Sequence, residues 1–464
     1  MNSQEHIIML PFLAHGHLIP FLALAKQLQQ RTGYTITIAS TKLNIQYLRS
    51  SISADSDSKI LFAELPFCSS AHDLPPNTES TENLSLDRMI KLLYASQSLE
   101  DPLFRLLNDI IDQEGRPPLC IISDLFFGWA VDVAKSVGTV TVSFNTGGAY
   151  GVLAYVSFCL NLPHRSTDSD EFLVPGFPES VRFHHSQLHP YLRAADGTDM
   201  GSKFMQSQFS RCLESSGWLC NSVEEIEPLG LDLLMKYIRL PVWAIGPLLP
   251  PAALKSSSSS QMMQLAIGLE GSGKSFIWVV RPPLGFDLNG EFRAEWLPEG
   301  FEERMKQSRR GLIVRNWAPQ LDILSHKSTG AFLSHCGWNS VLESLSQGVP
   351  IVGWPMAAEQ AFNSKMLMEE MGVSVELTRG IQRVIEAKEV KRVLESAMDE
   401  HGKGEDMRKK ATEVKELMKL AVREEGQEKG SSLKAVDEFV RTVLYKRRAA
   451  MMADRCSKIS AKSD

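Results

Sequence analysis

Short apolar runs alternate with longer stretches of helical spacing along most of this chain. Residues 6–12 (HIIMLPF) have the length of a buried strand, residues 14–17 form a small turn containing Gly16, and residues 20–30 place apolar side chains at helical intervals. The same sequence of strand, tight turn and helix opens a Rossmann-like half. Further strands are predicted at 34–39, 60–65, 119–123 (LCIIS) and 139–144, with helical periodicity over 84–111, interrupted by Pro102, and from about Gly128. Residues 218–222 and 242–245 supply the last two strands of this half. Strands alternating with helices predict an α/β fold with a doubly wound, largely parallel sheet.

Residues 246–260 (GPLLPPAALKSSSSS) break the pattern with proline and serine, the composition of a linker. The chain is therefore divided into an N-terminal domain at 1–245, a linker at 246–260, a C-terminal domain at 261–445 and a basic, disordered tail at 446–464. In the second half, residues 261–270 have helical spacing and 276–280 (FIWVV), 311–316, 330–334 (GAFLS), 349–354 (VPIVGW) and 373–377 read as strands. Helices are predicted at 339–347, from Gln360 to 371, and at 390–398, 407–422 and 432–445.

Chemistry concentrates in residues 317–360, where polar, aromatic, Gly and Pro positions are dense. Strand 330–334 leads through His335, Cys336 and Gly337 into a helix for which Asn339 or Ser340 is an N-cap candidate. Backbone N–H groups and the positive end of the helix dipole then point at the turn, a place suited to a phosphate. Trp317, ahead of that strand, offers a flat face on which a base can stack. Ligands of open α/β sheets bind at the carboxyl ends of strands, so 335–340 and 355–360 are expected to line one cleft. In the first half His17 lies at the first strand-to-helix turn and Asp124 just past a later strand, and a parallel sheet brings such positions to one rim. Each also has a plainer reading, the His donating to a backbone carbonyl and the Asp serving as an N-cap.

Composition narrows the field. The chain has 464 residues, 43% hydrophobic and 22% charged, with a net charge of −6, which gives no basic excess for nucleic acid or an anionic membrane. Seven scattered cysteines without a C-x-x-C spacing indicate neither a disulfide framework nor a zinc site. A reducing cytoplasmic compartment suits them. His184 and His185 lack a carboxylate or Cys at ligand spacing, so no metal is expected there. The N-terminal apolar stretch lacks a basic n-region and is broken by His, Gly and Pro, which speaks against a signal peptide or membrane span. Residues 268–275 (GLEGSGKS) fit the P-loop pattern, but a helix precedes them and a strand follows, the reverse of the required order.

Residues 317–360 resemble the signature box of plant family 1 UDP-sugar glycosyltransferases, at Trp317, Pro319, Gln320, His335, Gly337, Trp338, Asn339, Ser340, Glu343, Pro350, Pro355, Glu359 and Gln360. The resemblance implies two Rossmann-like domains facing across a cleft, the GT-B type. It implies that Trp317 stacks on uracil, Ala318 bonds the base through its backbone, and Gln320 and Glu343 hold the ribose. His335, Asn339 and Ser340 would contact the diphosphate, and Trp338, Glu359 and Gln360 the sugar, with Gln360 resembling enzymes that prefer UDP-glucose. Residues 16–20 (GHLIP) and 123–126 (SDLF) are similar to the family's catalytic His turn and to the strand end bearing its partner Asp. The expected activity is inverting transfer of a hexose from a UDP-sugar to a hydroxyl of a small, largely apolar plant metabolite. No cofactor and no metal are expected beyond the donor substrate, nor any partner except donor and acceptor, and the chain is expected to be a monomer. Phe12, Phe126, Phe127, Phe144 and Phe362 are candidates for the acceptor pocket.

One departure stands out. Family members continue past the linker into a strand with a Ser-Phe-Gly-Ser/Thr turn, whereas here Lys255 and five serines lead directly into Gln261. That strand is central in its sheet, and each ladder bond left buried and unsatisfied costs about 1–3 kcal/mol. The expectation is either a sheet whose gap is filled locally or a defective or alternatively spliced form. Two other readings follow: a UDP-sugar-binding but catalytically impaired variant, and a P-loop nucleotidase resting on 268–275. A Rossmann-type oxidoreductase is disfavoured because no G-x-G-x-x-G follows the first strand.

Overall fold

The protein is described here from a computed structural model covering residues 4–52, 59–82, 84–249, 259–282, 292–315, 317–381, 384–424 and 428–460. Its first half is built on β1 (His6–Leu10), β2 (Thr35–Ser40), β3 (Ile60–Glu64), β4 (Cys120–Asp124) and β5 (Thr141–Asn145). A short antiparallel hairpin, β6 (Glu171–Phe172) and β7 (Phe183–His184), stands apart, and β8 (Trp218–Cys220) and β9 (Val242–Ala244) finish the sheet. Its strand order is β3-β2-β1-β4-β5-β8-β9, parallel throughout. Every residue of β1, β4 and β5 is buried, as expected of strands covered on both faces by crossover helices.

The second half contains β10 (Phe276–Val280), β11 (Gly311–Arg315), β12 (Phe332–Ser334), β13 (Ile351–Gly353) and β14 (Ser374–Glu376). These form two separate parallel pieces, β10-β11 and β12-β13-β14. The expected filling of the gap is not seen among the described residues: β10 and β12 are not bonded to one another or to a strand between them. Trp278 and Leu333, one from each piece, pack on the same apolar cluster around Leu265, Val352 and Val393. Both pieces therefore share one helical layer.

Several element ends differ from the sequence pattern, each with a local reason. The predicted helix at 84–111 is two helices, Leu86–Ala95 and Glu100–Glu114, joined by a 3-10 turn at Ser96–Leu99. The break falls at Ser96, whose hydroxyl donates to the Leu93 carbonyl at 2.6 Å, rather than at Pro102. Pro102 sits in the first turn of the second helix, where its missing N–H has no intrahelical acceptor to lose. The strand read at 349–354 contracts to Ile351–Gly353, and the Pro350 carbonyl accepts from the Phe332 N–H at 2.9 Å. The last helix spans Ser431–Ser460, so the tail drawn from 446 is helical as far as Ser460. This helix returns to the first half, where Phe439 meets Trp243 with ring centroids 5.5 Å apart and Asp437 receives Arg31 through two bonds of 2.7 and 3.1 Å.

Candidate active site

The helix His15–Thr32 begins almost as soon as β1 ends, which puts His17 in its first turn. The His17 Nδ1 lies 2.7 Å from Oδ2 of Asp124 at the end of β4. Asp124 is buried and its second oxygen accepts the Phe126 N–H at 3.1 Å, so the carboxylate is held from both sides. Asp124 thus caps its own turn and contacts His17 at the same time. A carboxylate requires the proton on Nδ1, an assignment made from the bond itself, and leaves the Nε2 lone pair of the neutral ring as acceptor. Phe12 and Phe126 pack around the imidazole with centroids 5.5 and 5.6 Å away.

Pro20 adds a second consequence to this turn. Lacking an N–H, it cannot bond the Gly16 carbonyl one turn back. The Gly16 oxygen accepts instead from Asn339 Nδ2 of the second half at 3.2 Å. Nearby, the Trp338 indole N–H donates to the Asn221 carbonyl at 2.5 Å. These bonds seat the two halves face to face at the turn that carries His17.

On the donor side the helix spans Trp338–Ser346 and its N-cap is Gly337, which corrects the expectation of Asn339 or Ser340. Both lie in the first turn, where their own N–H groups have no intrahelical acceptor and are available to an anion. The preceding turn requires Cys336 at φ 61°, a left-handed value uncommon outside glycine. Gln320 Nε2 donates to Glu343 Oε2 at 2.6 Å, joining the two residues assigned to the ribose. The other Glu343 oxygen and Asn339 Oδ1 are buried without a hydrogen-bond partner among the described residues, as polar atoms awaiting a ligand are. Burial pushes the Glu343 carboxyl up to about 7, against the opposing pull of the Gln320 bond. Trp317 is 61% exposed, so its ring face is open.

One cavity of about 410 Å³ collects His17, Asp124, Trp338, Asn339, Glu359 and Gln360, with His335 and Ser340 also on its wall. The sequence-predicted residues it does not reach are Trp317, Ala318, Gln320 and Glu343. Ala318 and Gln320 open on a neighbouring cavity, which shares His335 and Met356 with the first. Two side chains are already engaged: the Trp338 indole by Asn221, and Gln360 Oε1 by the Met356 and Ala357 N–H groups, both at 2.9 Å.

The family described as "UDP-glucoronosyl and UDP-glucosyl transferase" matches residues 253–410, and "Glycosyltransferase, N-terminal domain" matches residues 4–250. The chain belongs to the plant UDP-glycosyltransferase family. UDP-glycosyltransferase 92A1 of Arabidopsis thaliana is 41% identical, covering 95% of this chain and 97% of its own length. Crocetin glucosyltransferase 3 of Crocus sativus is 40% identical over 87% of this chain and 93% of its own. The alignment to the Arabidopsis enzyme spans 479 positions against 464 residues here, so the relative carries residues within the shared span that this chain lacks. Among solved structures, Medicago truncatula UGT71G1 complexed with UDP-glucose superposes with a TM-score of 0.78 at 25% identity, over 96% of this chain and 99% of that one. Phytolacca americana UGT2, complexed with UDP-2-fluoro-glucose and pterostilbene, gives 0.77 at 27%, over 95% and 99%. The enzyme is a glycosyltransferase of GT-B architecture, with two Rossmann-like domains across a cleft.

The aromatic candidates divide. Phe12, Phe126 and Phe144 line the cavity of the glycosyltransferase. Phe127 and Phe362 do not; Phe127 packs on Trp129 in the core, and Phe362 meets Phe183 edge-on at 5.6 Å. Met89, Ile90, Tyr155, Met205 and Phe209 complete the apolar wall and were not singled out in the sequence. His189, also on that wall, is lowered to about 4 by burial and so is neutral. Among the described residues no group of three or more His, Cys, Asp or Glu is disposed to hold a metal ion, and no helix is long and apolar enough to cross a membrane. The P-loop pattern falls on the end of the helix Ser259–Ser272 and the turn through Gly273 at φ 68°, with β10 starting at the next residue, which is helix before strand.

Proposed function

We propose that this glycosyltransferase moves glucose, with inversion, from UDP-glucose to a hydroxyl of a small, largely apolar acceptor. The reading rests on one observation: the His17–Asp124 pair and the turn at 335–340 border the same cavity. Nε2 of His17 takes the acceptor's proton as its oxygen attacks the anomeric carbon. Asp124 keeps the ring in that tautomer and stabilises the imidazolium that forms. The bond from the anomeric carbon to the UDP oxygen breaks with its electrons going to UDP. The growing charge meets His335 and the N–H groups of Asn339 and Ser340. Glu359 and Gln360 hold sugar hydroxyls, and Glu343 with Gln320 holds the ribose. Relatives named for glucosyl transfer and the apolar wall favour glucose and an apolar acceptor.

A second reading, a UDP-sugar binder impaired in transfer, is favoured by the two-piece sheet of the donor half. Incubation with UDP-glucose and a pool of plant phenols and terpenoids, read by mass spectrometry for an added hexose, separates the two. Hexosylated product supports transfer, and UDP-glucose binding without product supports the impaired form. Absence of binding in calorimetry removes both.

A further inference from the structure

One polar side chain on the wall of the 410 Å³ cavity is not used by the fold. His189 is the N-cap of the short helix Pro190–Ala194, yet its ring makes no capping bond and borders the cavity instead. His184, earlier in the same segment, shows the ordinary alternative: as the N-cap of a 3-10 turn, its Nδ1 accepts the Ser186 N–H at 2.9 Å. Other polar side chains of this wall are engaged within the protein. Tyr191 donates to Asp87 at 2.9 Å, and Asp199 accepts both the hydroxyl and the N–H of Ser202. Neither ring nitrogen of His189 has a hydrogen-bond partner among the described residues. A polar group shielded from water and left without a protein partner is what a binding site offers its ligand.

We propose that His189 is a specificity-determining residue, which hydrogen-bonds a second neutral oxygen of the acceptor, a hydroxyl or carbonyl other than the hydroxyl that meets His17. The two imidazoles belong to different parts of the first half. His17 stands in the first turn after β1, whereas His189 follows β7 in a segment tied to the helix Leu86–Ala95 by the Tyr191–Asp87 bond. The surroundings decide the chemistry of the second group. His189 is held neutral by burial alone, with no charged side chain contributing, so the ring offers one N–H and one lone pair. Met89, Ile90 and Met205 share its wall, where a carboxylate would lose its water without gaining a cation. The acceptor class is therefore an apolar body with two separated neutral oxygen functions. A site built to bond a hydroxyl rejects the analogue lacking it, because its own polar group is then left unpaired. The inference rests on the reading of this cavity as the acceptor site, but its readout is binding, so failure to transfer hexose counts against that reading alone.

The probes are pairs of phenols that differ by one hydroxyl: hydroquinone and phenol, a naphthalene diol and naphthol, a biphenyl diol and phenylphenol. Each is titrated calorimetrically into the full chain with UDP present. In at least one pair the diol is expected to bind about tenfold or more tightly, beyond the statistical factor of its two equivalent ends. His189→Leu should reduce that ratio to the statistical factor, and His189→Gln, which keeps a donor and an acceptor, should restore part of it. Equal binding within every pair, a ratio unchanged in His189→Leu, or parallel weakening of both members of a pair each overturns the proposal. A ratio lost in Tyr155→Phe and kept in His189→Leu overturns it too, by giving the contact to the Tyr155 hydroxyl on the same cavity. Tighter binding of a hydroxybiphenyl carboxylate than of the biphenyl diol overturns the assignment of a neutral group.

Discussion

The two halves of this enzyme are built from the same strand-and-helix unit and differ in continuity. In the first, seven parallel strands run without interruption, and β1 and β4, which lead to His17 and Asp124, are adjacent and wholly buried. In the second, the strands leading to Trp317 and to His335 belong to different pieces with a cavity between them. The difference separates two tasks. A base must be held against its partner within tenths of an ångström, and adjacent bonded strands do that. The donor site is spread over a turn, a helix terminus and a stacking face. The residues proposed to contact its diphosphate and sugar lie on the β12 piece, whose helix Trp338–Ser346 packs against the first half through Trp338. The interruption falls between Trp317, proposed to stack on the base, and the 335–340 turn, proposed to meet the phosphates.

Three outcomes would break or sharpen this comparison. The largest lies in the continuous half: His17→Ala should lower kcat by about 10²–10⁴-fold, the range for a general base, with UDP-glucose affinity unchanged in calorimetry. Next comes stability. Ile122→Ala, in fully buried β4, should cost about 2–5 kcal/mol in denaturant unfolding. The same truncation at Ile277, on the open edge of β10, should cost about 0.5 kcal/mol or less. Comparable losses would mean that Ile277 is covered in solution. The third is a pH effect in the interrupted half. Burial pushes the Glu343 carboxyl up to about 7, and in its proposed role it would accept ribose hydroxyls best when ionised, which links ligand binding to proton release. Affinity for UDP-glucose should therefore fall by about tenfold from pH 8 to pH 6. Glu343→Gln should flatten that dependence in isothermal titration.

Much of the site was legible because its chemistry sits at strand ends, where spacing and topology coincide. His17 and Asp124 are 107 positions apart, yet each follows a strand of the right pattern, and the structure joins them at 2.7 Å. Gln320 and Glu343 were likewise paired by the resemblance and are bonded at 2.6 Å. What failed was direction. Phe126 and Phe127 are neighbours in sequence, but the turn sends the first to the cavity and the second to the core, a rotation that no alternation rule resolves in a 3-10 turn. The acceptor wall was invisible for another reason. Met89, Tyr155 and Met205 come from three helices whose apolar faces look like ordinary core positions. The departure at the linker could be read as a missing strand, but its effect on the sheet could not. Sequence showed what was gone and not whether the flanking strands would close up.

The returning helix Ser431–Ser460 bears on how the cleft can open. It lies against β9, the last strand of the seven and the one from which the chain leaves for the second half. The first half's last strand and the returning helix thus lie on the same flank. Movement of the halves is then that of a book about its spine, widest at the far margin and least beside Trp243 and Phe439. Opening of that kind would leave the far margin as the way out for product, with Trp243 and Phe439 the last contacts to move.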